Sequence, residues 1–209
     1  MKRLSLTCTL LVLISATWAQ TSLQQAVNQE LVEAEIKGLG GHSGTCIRLT
    51  LTSQTGKLQR LSLKAGTIFH SNNAAEQDIV LAEHLPAFAI QAYQKHEYLL
   101  RGYCIQASNH SPGKDSTFTL GDRTNAGLAA LADFVNERQL LDDPRLQYAF
   151  WAISDGISLG SIEALGSNRQ SDALLKELSQ ITGKAIPEYS VAYMVADGEV
   201  AFSNEILKV

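Results

Sequence analysis

The sequence predicts an α+β protein, an antiparallel β-sandwich that carries a helical insert or subdomain and a C-terminal β-hairpin. Three observations predict it. Apolar residues alternate at period two through the first half, in short runs separated by turn residues; the period lengthens to three and four in the second half; and Asp197-Gly198 separates two apolar runs near the end, a hairpin signal. The sandwich is placed at about 31–106, the helical part at about 122–183 and the hairpin at about 189–207. All three belong to one domain, 20–209, behind a leader at 1–19.

Leu23, Val27 and Leu31 recur four apart and predict a short helix at 22–30. Val32, Ala34 and Ile36 then alternate with Glu33, Glu35 and Lys37, a half-buried strand closed by the glycines at 38, 40 and 41. In 46–52, Ile47, Leu49 and Leu51 take the apolar side, which puts Cys46 with Arg48 and Thr50 on the polar one. Further strands are expected at 58–63, 67–70, 78–82, 88–93 and 98–106. In the last of these Leu100 and Cys104 share the inward face, and Tyr103 points the other way. Polar residues at 108–114 end the strands. Leu128, Leu131 and Val135 stripe a helix capped by Thr124 or Asn125, and Leu174, Leu175 and Leu178 stripe another that ends at Gly183. The helix of 143–156 lies between them. Asp143 can cap it, Pro144 suits its first position, and Gln147 then falls near its first turn with Phe150 and Trp151 three and four residues on.

The first residues read as a secretory signal peptide. Lys2 and Arg3 precede an apolar run, and Thr17 and Ala19 are the small residues before a cut at Gln20. This predicts a secreted or periplasmic protein. Removing the leader takes two of the 17 basic side chains and none of the 21 acidic ones, and no basic run remains. Nucleic acid is therefore excluded as a partner class. No later stretch is apolar and long enough to span a bilayer.

The five histidines, at 42, 70, 84, 96 and 110, form no zinc motif, so neither a metal nor another cofactor is implied. Asp142, Asp143 and Asp155 sit at helix ends, where capping accounts for them. Two cysteines, Cys46 and Cys104, follow the leader, and in an oxidising compartment a Cys46–Cys104 disulfide is one reading. A cysteine hydrolase pairing Cys104 with His110 or a more distant histidine is another.

Two segments carry more. Residues 102–112 read GYCIQASNHSP and residues 146–156 read LQYAFWAISDG. The pair resembles the motifs of bacterial thioester domains, secreted adhesin modules with a Tyr-Cys-Ile-Asp-like strand and a Gln-x-Ala-Ile-Trp-like helix. Tyr103, Cys104 and Ile105 match the first motif; Gln147, Ala149 and Trp151 match the second, which Ser154, Asp155 and Gly156 extend. Leu146, Phe150 and Gln106 depart from the Thr, Ile and Asp common in that family. The specific similarity covers about 99–156. It implies a β-sandwich with a helical subdomain, a Cys104–Gln147 internal thioester, and shielding of that bond by Tyr103, Phe150 and Trp151. The expected role is binding or adhesion through a protein or cell-surface ligand, with covalent attachment to an amine partner. A non-reactive envelope or surface module stapled by Cys46–Cys104 is the alternative, and the cysteine hydrolase the second alternative.

N-terminal sequencing of the exported protein should begin at Gln20. A mature chain that keeps Met1 would remove the leader and the redox argument built on it.

Overall fold

The structure, a computed structural model, describes residues 20–166, 168–196 and 199–207. The leader and the Asp197-Gly198 turn lie outside the described residues. Strand β1 (Thr21–Ser22) leads into helix α1 (Leu23–Asn28) and then β2 (Val32–Leu39), β3 (Ser43–Ser53) and β4 (Gln59–Leu63). Strands β5 (Ile68–Ser71), β6 (Ile79–Leu81), β7 (Leu85–Ile90), β8 (Lys95–Cys104) and β9 (Lys114–Leu120) follow. Helices α2 (Ala126–Glu137), α3 (Leu146–Ser154) and α4 (Ala173–Thr182) precede the final strands β10 (Ser190–Ala196) and β11 (Glu199–Leu207), which pair antiparallel.

The expected sandwich is not what forms. Six strands close a barrel in the order β2-β3-β8-β6-β5-β9, and β1-β4-β7 make a separate three-stranded sheet, so the molecule is mostly sheet with small helices. The cause is β9. Its sequence KDSTFTL has only Phe118 and Leu120 as large apolar residues, too few for the alternation to stand out, and it falls where the polar composition signals the end of the strands. It nevertheless pairs antiparallel with β2, Ile36 opposite Phe118, and with β5, Phe69 opposite Leu120. One added strand satisfies the edges of β2 and β5 together, and a sheet with both edges paired is a barrel.

Strand β8 is the wall between two cores. Leu100 and Cys104 point into the barrel among Ile47, Leu49, Phe69, Ile79 and Phe118. Tyr103 and Ile105 point outward into a second core with Leu128, Leu131 and Val135 of α2, Phe150 of α3 and Leu175 of α4. The alternation of a single strand thus commits each neighbour of Cys104 to one core or the other.

Asn125 caps α2 by accepting from the Leu128 N–H at 3.0 Å, and Asp172 caps α4 by accepting from the Leu175 N–H at 3.0 Å. Gly183, at φ +69°, ends α4 in the left-handed conformation that glycine adopts without a Cβ clash. Helix α3 differs from its expected start. Its regular turns begin at Leu146 behind Arg145, and Asp143 accepts from the Arg145 backbone N–H at 2.9 Å, two residues on as a cap does, and also from Nη2 at 2.7 Å. Arg145 also donates to Asp172 at 2.8 Å and to the Glu163 carbonyl at 2.7 Å, so this buried guanidinium joins the starts of α3 and α4. Burial works against its charge, but the bonds to Asp143 and Asp172 outweigh that and raise its pKa.

Phe150 has no exposed surface and stacks on the Tyr103 ring at 5.0 Å between centroids. Phe150→Ala should therefore lower unfolding stability by about 3–5 kcal/mol in denaturant melts. A loss below about 1 kcal/mol would mean that the helices do not depend on this contact with β8.

Candidate functional site

The end of β8 and one face of α3 form the site. Cys104 is fully buried, and its backbone N–H is shared between the His42 carbonyl at 3.0 Å and the Gln147 side-chain oxygen at 3.2 Å. Gln147 Nε2 in turn donates to the Cys104 carbonyl at 2.7 Å. The carboxamide therefore grips both backbone groups of one residue, as a paired strand would. Gln147 is only 5% exposed, so losing either bond would leave a buried polar group unsatisfied.

The grip continues at helical spacing. Trp151 donates from Nε1 to the Gln77 side-chain oxygen at 3.3 Å, and Asp155 accepts from the backbone N–H groups of Gln106 at 3.2 Å and Ala107 at 2.9 Å. Residues 147, 151 and 155 lie on one helix face, and each holds the chain beside or just after Cys104. Gln106 stands at φ +70°, unusual for a residue with a Cβ. Asp155 on one side and Asp78 on the other, which takes a bond from Gln106 Nε2 at 3.3 Å, hold it there.

The structure thus brings Cys104 and Gln147 together. Tyr103 and Phe150 stack beside them in the helical core, and the Tyr103 hydroxyl donates to the Leu141 carbonyl at 3.2 Å. Trp151 lies apart from that stack, in a small cluster with Ala107 and Ile157, where its ring meets Tyr148 edge-on at 5.7 Å. The one face expected for Gln147, Phe150 and Trp151 therefore divides, with Phe150 under the barrel wall and Trp151 beside a cleft. That cleft, of ≈ 430 Å³, includes Gln147, Tyr148 and Trp151 in its lining together with His42 and His110.

Cys46 departs from its expected polar face. The register of β3 against β8 shifts between Thr45 and Ile47, and the extra residue turns inward, so Cys46 and Ile47 are buried in succession. Its thiol donates to the Gly102 carbonyl at 3.5 Å. A Cβ at Gly102 would stand 2.5 Å from Ile79 Cγ2 and 3.5 Å from the Cys46 sulfur, which explains a glycine in mid-strand. Cys46 and Cys104 are both free thiols within the barrel core.

Burial decides the state of these thiols. It pushes the Cys46 pKa up to about 12, against smaller lowering by the bond to Gly102, and it raises that of Cys104, with Cys46 adding to the rise. A low-dielectric surround penalises the thiolate. No hydrogen bond joins Cys104 to a histidine side chain among the described residues, so the nucleophile pair expected of a cysteine hydrolase is not assembled there. The same residues contain no cluster of three or more His, Cys, Asp or Glu side chains able to hold a metal, and no helix long and apolar enough to cross a membrane.

The raised Cys46 value carries a stability consequence with a definite sign. An unfolded thiol ionises near 9, before the folded one, so the contribution is fully present below 9 and lost as pH rises from there towards 12. Urea melts from pH about 8 to about 11 should show wild type losing stability faster than Cys46→Ala, by at most about 1.4 kcal/mol per pH unit. Parallel pH profiles would show that the Cys46 thiol does not resist ionisation in the folded protein.

Comparison with protein-family models, with curated proteins and with solved structures finds no match to this chain.

Proposed function

We propose that this chain is a secreted or periplasmic bacterial binding or adhesion module in which Cys104 and Gln147 form an internal thioester, opened by a nucleophile on a protein or cell-surface partner. The observation that carries the proposal is the double hydrogen bond between the Gln147 carboxamide and the Cys104 backbone, buried at the junction of barrel and helices. The resemblance of the two segments to thioester-domain motifs supports it, and the leader supports the compartment.

The chemistry requires the Cys104 side chain, which points into the barrel, to turn toward the carboxamide that its backbone already holds. The Cys104 sulfur attacks Gln147 Cδ, the C–N bond breaks, and the nitrogen leaves as ammonia with the thiol proton. Negative charge develops on the side-chain oxygen during attack, and the Cys104 N–H already points at that oxygen. Attack needs the thiolate, so the raised pKa of Cys104 opposes this step, and the thiol proton leaves with the departing nitrogen. Tyr103 and Phe150 close one side of the pair against water, which protects the product from hydrolysis.

A non-reactive binding module with a Cys46–Cys104 disulfide is the second reading, favoured by the placement of both thiols in one barrel core. Intact mass of the non-reduced exported protein separates the two. The thioester gives a deficit of one ammonia that disappears in Gln147→Ala; the disulfide gives a deficit of two hydrogens that reductant restores. Full mass with two free thiols would end both.

A further inference from the structure

We infer that the cleft beside Gln147 selects a hydroxyl acceptor, a polyhydroxylated ligand such as a glycan surface, and that His42 and His110 supply the base for its transfer. The inference rests on the thioester reading and names the substrate class of that same bond.

The cleft opens where the bond would be, because Gln147 is part of its lining. Among the described residues its lining includes no carboxylate, lysine or arginine; serine, asparagine and glutamine side chains, two histidines and two aromatics make up most of it. An ammonium arriving on a lysine side chain meets no counter-ion there and no carboxylate to take its proton. A polyol meets the Ser43 and Ser111 hydroxyls for its oxygens, and the partly exposed Tyr148 ring, backed by Trp151, for its C–H face.

A thioester yields readily to a neutral amine. A hydroxyl needs its proton removed as it attacks, and imidazole is the side chain suited to that task near neutral pH. Both histidines of the cleft are exposed on an anchored backbone. The His42 carbonyl accepts from the Cys104 N–H at 3.0 Å, which fixes its place beside the reacting residue. His110 donates from its backbone to Ala75 at 3.0 Å and accepts from the Gln77 N–H at 2.9 Å.

The acceptor oxygen attacks the acyl carbon, an imidazole takes the hydroxyl proton, and the C–S bond breaks with its electron pair on the Cys104 sulfur. The imidazolium then returns the proton to that sulfur. The products are an ester at position 147 and a free Cys104 thiol.

The test presents exported protein with glycerol and with methylamine in separate reactions and reads ester and amide by intact mass. Wild type should form the glycerol ester, and the His42→Ala/His110→Ala variant should show the ester-to-amide ratio reduced by roughly a hundredfold or more. Wild type that forms only the amide would overturn the inference, as would an unchanged ratio in the variant. So would a variant that never forms the thioester, since the imidazoles would then act in making the bond. Absence of the ammonia deficit in wild type before any acceptor is added is a separate result. It overturns the thioester reading itself.

Discussion

Most of what is specific to this molecule depends on a buried carboxamide satisfying a buried backbone. Cys104, the last residue of β8, pairs with Ile79 of β6 and gives its N–H to the His42 carbonyl, and the Gln147 side chain adds a second acceptor for that N–H and a donor for the Cys104 carbonyl. An unpaired buried peptide group costs about 1–3 kcal/mol, so α3 is held against the barrel by a penalty for leaving as well as by apolar contact. The same contact brings a thiol-bearing residue beside a side-chain carboxamide that is itself almost fully buried.

The junction persists because it is braced on both sides. Beneath it, the barrel is closed by β9, so β8 cannot peel away as the edge of an open sheet could. Above it, Arg145 pins the start of α3 to Asp172 at the start of α4, and its partners Asp143 and Asp172 are themselves almost fully buried. Such a network resists salt and solvent screening in a way that the exposed pair of Lys37 and Glu35 does not. Removing one partner would strand a buried charge, which fixes where the helix begins more firmly than a cap would.

Much of this is written in the sequence at short range. The stripe of α2, the stripe and stop of α4 at Gly183, and the alternation of β2 follow from local spacing that tertiary contacts did not override. What escaped was set by partners distant in the chain. Strand β9 is a strand because β2 and β5 both need an edge, not because its residues alternate strongly. Cys46 turns inward because one extra residue in β3 shifts its register against β8, and parity counting cannot register an insertion. Asp143 makes the backbone bond of a cap and also binds the Arg145 guanidinium, a second role that spacing does not announce. The pairing of Cys104 with Gln147 came from motif resemblance, since two residues 43 apart carry no spacing signal of their own. The grip of Asp155 on Gln106 and Ala107 had a weak signal, a carboxylate two turns from Gln147 on the same helix face.

Helix α3 also acts as a ruler laid beside an extended chain. From residue 147 to 155 it rises about 12 Å, while the three steps from Cys104 to Ala107 span at most about 11 Å. Contacts at both ends and at Trp151 hold the two scales in phase. Deleting or inserting a single residue between 147 and 155 would turn every later contact by about 100° around the helix axis, taking Asp155 off the loop that follows Cys104. Substitutions along this helix change individual contacts, whereas a change in its length changes the gauge itself. The segment is thus constrained in register more tightly than in composition.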